Sequence, residues 1–182
     1  MKTVRLLAIL FPLFLGAPLG AQTLFTGFGP TYSIPLDTFG VSNRASFGGS
    51  ALIESRRYCQ LWTGLRLGFT QYRPKNDTVR SYYRNALSIS PEARYFFAQP
   101  LELPLYVQGM VTLSGIGGTD SVSRVAVGLE GGVGYLLFYD SNCCGWFIDL
   151  HARYQRPNLF FRSEERPSLS SLLVGLSFNL AL

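Results

Sequence analysis

From Leu172 to Leu182 a large apolar residue stands at every second position: Leu172, Val174, Leu176, Phe178, Leu180 and Leu182. Leu173, Gly175, Ser177, Asn179 and Ala181 lie between them. Side chains alternate across a strand, so this segment predicts a strand with one apolar face and one that is mostly small or polar. The same division recurs upstream. Thr63, Leu65, Leu67 and Phe69 alternate with Gly64, Arg66, Gly68 and Thr70, and Val125, Val127, Leu129, Val133, Tyr135 and Leu137 with Ala126, Gly128, Glu130, Gly132 and Gly134. After residue 21 every apolar stretch is interrupted within a few residues by Gly, Ser, Thr, Arg or Glu, so no hydrophobic helix can be drawn. Yet the chain is 47% hydrophobic, 14% aromatic and only 15% charged, too apolar for an ordinary soluble secreted domain. A bilayer core admits only helices or closed barrels, because every backbone polar group must find an internal partner. A barrel is therefore expected.

The alternation and the turn residues place eight strands at about 24–34, 45–57, 61–73, 82–97, 104–116, 124–138, 146–156 and 168–182. Connections after the second, fourth and sixth strands are short. Those after the first, third, fifth and seventh are more polar and mostly longer, holding Asp37, Arg73 to Asp77, Gly117 to Asp120 and Asn158 to Pro167. Short inner turns and longer outer loops belong to an all-β, eight-stranded, antiparallel up-and-down transmembrane barrel with both ends on the periplasmic side. Aromatic residues gather where strands end. Tyr58, Trp62, Tyr95, Phe97, Phe138, Tyr139 and Trp146 lie near the inner turns, and Tyr72, Tyr82, Tyr83, Tyr154 and Phe160 lie toward the outer loops, as two interfacial girdles would. A lipocalin-like soluble barrel would instead turn its apolar face inward.

The first 21 residues read as a cleaved signal peptide: Lys2 and Arg5, an apolar stretch from Leu6 to Leu15, then the small residues ending at Ala21. Residues 22–182 are then one outer-membrane barrel domain. The net charge of +5 falls by two when Lys2 and Arg5 leave, too little to suggest nucleic acid.

With the apolar face toward lipid, the other face lines the lumen and collects Glu54, Arg66, Glu92, Arg94, Glu130, Asp149, His151 and Arg153. Eight strands leave an interior just wide enough for side chains. Seven formal charges there must pair, since each isolated buried ion costs several kcal/mol. Counting through the turn near Asn142 sets Glu130 opposite about residue 154, so Glu130 with Arg153 is the leading pair. Such a network is either a plug or the gate of a narrow pore.

His151 is the sole histidine. As a base it would need a nucleophile and an orienting acid, and Asp149 lies about 7 Å along the same strand face. No serine sits two residues after it, as in outer-membrane lipid A deacylases, so no catalytic set is read. Cys59, Cys143 and Cys144 fall in inner turns, where Cys59 with Cys143 or Cys144 is a candidate disulfide in an oxidising compartment. They make no metal set, and no cofactor is implied. Arg73, Lys75, Arg80 and Arg162 in the outer loops are candidate contacts for lipopolysaccharide phosphates.

The run Ile89-Ser-Pro-Glu-Ala-Arg-Tyr-Phe-Phe97, with Leu103-Pro-Leu-Tyr-Val-Gln-Gly109 after a short turn, resembles the outer-membrane β-barrel domain family, OmpA/OmpX-like small barrels of Bacteroidetes type. The last strand looks like the signal read by the barrel assembly machinery. The resemblance implies a fold more than a function: a porin-like membrane protein in contact with outer-membrane lipid. The role read here is non-enzymatic and structural or adhesive, with a narrow OmpW-like transport barrel or an accessory subunit of an envelope complex, with a protein partner, as alternatives.

Overall fold

The alternating segments form antiparallel strands that close on themselves. In the structure, a computed structural model describing residues 24–75, 85–100, 102–117, 124–139, 145–156 and 169–182, the barrel strands are β1 (Leu24–Pro35), β3 (Ser46–Arg56), β4 (Leu61–Gln71), β6 (Asn85–Phe96), β7 (Leu105–Gly117), β8 (Arg124–Tyr139), β9 (Trp146–Arg156) and β10 (Ser171–Ala181). Each pairs with its chain neighbour, and β1 pairs with β10 to complete the ring. All eight strands begin and end within three residues of the positions read from the sequence. Residues 1–21, the expected signal peptide, lie outside the described residues.

Three short elements were not expected. A helix, α1 (Asp37–Ser42), follows β1, and two short strands, β2 (Asn43–Arg44) and β5 (Arg73–Pro74), pair above the barrel rim. Where Pro30 and Pro91 interrupt strands, the ladders β1–β10 and β6–β7 skip Gly29-Pro30 and Ser90-Pro91 respectively, because proline donates no N–H.

The outward face is apolar all round the barrel. Phe28 and Phe47 are each 67% exposed and Val125 69%, with Leu65, Leu67, Phe69, Leu113, Leu129 and Val133 exposed between. Such a continuous apolar belt is incompatible with water and matches a bilayer. Among the described residues no helix is long and apolar enough to cross a membrane, so the crossing is made by strands. The inward face holds the charges, the reverse of a lipocalin.

The girdle reading needs correction at two aromatics. Trp62 is fully buried and Tyr72 2% exposed, both inside the barrel. Trp62 on β4, and Tyr72 one residue past its end, share the parity of the lumenal Arg66, which decides the face regardless of closeness to a strand end. Tyr58, Tyr95, Phe97 and Tyr154 do face outward. Tyr82, Tyr83 and Phe160 lie outside the described residues.

Candidate functional site

The inward positions stack in three layers. Nearest the inner turns, Phe25, Trp62, Phe96, Tyr106, Leu136 and Phe147 form one buried cluster. Phe25 stacks on Trp62 with ring centroids 5.2 Å apart, Phe147 meets both edge-on, and Phe96 bridges Trp62 to Tyr106. These rings pack across the lumen at the end that carries the short turns.

Above them lie the charges. Arg94 is the hub: its Nε is 3.1 Å from Glu92 Oε1 and 3.4 Å from Glu54 Oε2, and its Nη1 is 3.2 Å from Asp149 Oδ2. The guanidinium also lies 5.0 Å from the centre of the Tyr106 ring, a cation–π contact, while the Tyr106 hydroxyl donates to Asp149 Oδ1. Arg66 grips Glu92 with two bonds, Nε to Oε2 at 2.7 Å and Nη2 to Oε1 at 3.3 Å, and reaches Ser50 Oγ at 3.1 Å. Arg153 Nη1 donates to Glu130 Oε2 at 3.2 Å, and Glu130 accepts a second bond from Thr112 at 2.8 Å. Among the described residues every buried carboxylate therefore touches a guanidinium, the condition for holding ions at this depth.

Close approach across the lumen depends on two glycines. Gly132 is the ladder partner of Arg153 and Gly134 that of Tyr106. A Cβ on Gly132 would run into the Ala152 carbonyl and Arg153, and one on Gly134 into the Tyr106 ring. Glu130 itself pairs with Gln155, one residue from the expected register, and the ladder shifts at a bulge between Leu136 and Phe138. Arg153 reaches Glu130 diagonally over Gly132.

His151 is 2% exposed, and its Nδ1 lies 3.4 Å from Asp149 Oδ2, well inside the spacing expected for alternate strand residues. In so narrow a barrel inward side chains converge. Ser177 also donates to Asp149, at 3.4 Å, so the serine and histidine meet the acid separately and are not arranged as nucleophile and base.

Over the charges sits a polar cavity of about 20 Å³, lined among others by Ser50, Arg66, Thr70, Ser88, Glu130 and Arg153. It is large enough for roughly one water molecule. The third layer closes the outer end: Phe39, Tyr72, Ala86, Ile116, Ala126 and Leu169, with the rings of Phe39 and Tyr72 edge-on at 5.0 Å. Phe39 arrives on α1, which is tied down from several sides. Asn43 Nδ2 donates to Phe39 O at 3.3 Å, Lys75 Nζ to Gly40 O at 2.6 Å, Lys75 N to Ser42 O at 2.9 Å and Leu36 N to Ser170 O at 2.9 Å.

The structure thus brings together all eight lumenal residues named from the sequence. Tyr106 and the aromatic layer were missed, although Phe96 follows Arg94, and Phe147 precedes Asp149, by two residues. Cys59 is exposed in an inner turn and forms no disulfide among the described residues; Cys143 and Cys144 lie outside them. Arg73 and Lys75 are exposed on the outer side, and Arg80 and Arg162 lie outside the described residues.

No family model and no curated protein matches the chain. Solved structures do. Neisserial surface protein A is similar over 89% of this chain and 99% of its own, with a TM-score of 0.57 and 16% identity. The N-terminal β-barrel domain of OprF from Pseudomonas aeruginosa is similar over 88% of this chain and 97% of its own, with a TM-score of 0.52 and 17% identity. At such identity the likeness carries the fold alone: the chain has the architecture of small outer-membrane barrels.

Proposed function

We propose that this outer-membrane barrel is a sealed protein that works through its outer loops and surface, in a structural or adhesive role, and neither conducts nor catalyses. The observation that carries the reading is the pair of buried side-chain layers at the two ends of the lumen, with ion pairs between them and a polar cavity among them about the size of one water molecule. A solute would have to part the Trp62 stack and separate buried ion pairs, each costly in a low-dielectric interior. His151 is enclosed in the same way, which denies a substrate access to it.

In this reading residues 1–21 direct secretion, the barrel assembly machinery inserts the strands, and Cys59 with Cys143 or Cys144 staples two inner turns. The segments 89–97 and 103–109 support a place among OmpA/OmpX-like barrels of Bacteroidetes type. The test is electrical. Refolded barrel in planar bilayers bathed in concentrated KCl should show no conductance steps. Steady conductance that rises in Arg153→Ala would make the network a gate and favour narrow transport.

A further inference from the structure

On the outward face of the β3–β4 hairpin the apolar column ends at Phe47 on one strand and Phe69 on the other. Beyond the rim the hairpin resumes its ladder one residue out of step as β2 and β5, which sets Arg44 directly across from Arg73. Directly opposed residues project from the same face, where like charges repel. Both arginines are exposed while Asn43 and Tyr72 beside them are buried, so the two guanidinium groups stand together on the outward side. Lys75 is exposed next to them, and Arg44 Nη2 donates to its carbonyl at 2.9 Å. Every ion pair among the described residues is lumenal, so none of these three cations has a carboxylate partner there.

Their height decides what they face. Arg73 is four residues beyond Phe69 and Arg44 three beyond Phe47; at ~3.3 Å per residue and a tilt of ~40° this is roughly 10 and 8 Å of rise. The Tyr32 ring against Phe47, centroids 5.0 Å apart, marks the edge of the hydrocarbon. Headgroups occupy roughly the next 5–8 Å, within reach of an arginine stem bending back.

We infer that Arg44 and Arg73, with Lys75 beside them, form a clamp for a phosphate group of a phosphorylated saccharolipid in the outer leaflet. A phosphate between the guanidinium groups converts their repulsion into two charge-assisted, bidentate-capable contacts. The inference rests on the placement of the barrel in the outer membrane and deepens the role of its outer face by naming the lipid group it holds.

The test uses the refolded full barrel in phosphatidylcholine vesicles, alone, with bis-phosphorylated lipid A, or with dephosphorylated lipid A. Lipid A should raise the unfolding temperature and its dephosphorylated form should not. Arg73→Gln removes a side chain with no bond to the described residues. Folding of the variant is verified by heat-modifiable mobility, and its apparent affinity for lipid A should fall about tenfold, further in Arg44→Gln/Arg73→Gln. Undiminished affinity in the double variant, or an equal rise with dephosphorylated lipid A, overturns the clamp. Competition by inorganic phosphate at the same phosphate concentration overturns the lipid source and assigns the site to free phosphate. A wild-type chain that inserts into none of the vesicles contradicts the membrane reading itself, a separate result.

Discussion

The inner closure takes Phe25, Trp62, Phe96, Tyr106, Leu136 and Phe147 from six barrel strands, whereas at the outer end the strands supply only Ala86, Ala126 and Ile116. Phe39, Tyr72 and Leu169 complete the outer layer from connecting segments. The difference is one of dependence. Rings on paired strands cannot leave without breaking the ladder, so the inner end is closed as firmly as the barrel is folded. A ring carried on a six-residue helix can leave while every barrel hydrogen bond stays intact. Local opening of such elements requires far less free energy than global unfolding.

The firmness of the inner end depends most on the charges resting on its aromatic layer. Arg94→Met leaves Glu54 and Asp149 without a guanidinium and Glu92 with Arg66 alone. Uncompensated buried charge costs about 3–5 kcal/mol, and the upper end applies because the Tyr106 contact also goes. Denaturant unfolding in detergent micelles measures it, and a loss below about 1 kcal/mol would remove Arg94 from its central place. Trp62→Ala comes next. Three ring contacts, to Phe25, Phe96 and Phe147 on separate strands, fix the surroundings of Trp62, so little collapse is possible and about 3 kcal/mol should be lost in the same assay.

How much of this was legible follows from what each layer is built of. Strand parity alone places Arg66, Glu92, Arg94 and Arg153 on one face, and a narrow barrel then obliges them to meet. Parity equally places Trp62 and Tyr72 inside, yet their nearness to strand ends gave the competing expectation of a girdle. The firmer rule is the period of two. The distance from His151 to Asp149 was not legible, because spacing along a strand says nothing about convergence toward a barrel axis. Nor was the outer closure. Phe39 lies in Asp37-Thr-Phe-Gly-Val-Ser42, too short for a helical period, and α1 begins with Asp37 at a positive φ of 51° and no side-chain cap. It is held by tertiary bonds to Lys75 and Ser170, which local sequence cannot announce.

Phe39→Ala tests the contrast most directly because its expected effect on global stability is the smallest. If α1 already opens below the global unfolding free energy, truncating its anchor changes an equilibrium that the unfolding transition hardly senses. The unfolding free energy should then fall by less than about 1 kcal/mol, against the several kcal/mol usual for a buried phenylalanine. The change should appear locally instead, as faster amide exchange over residues 37–44, with the amides of β4 and β6 unaffected. Conductance should stay absent, since Trp62 and the ion pairs still close the lumen below. A loss as large as that of Trp62→Ala would mean that the outer closure is bound to the barrel as tightly as the inner one, and the two ends would no longer differ in kind.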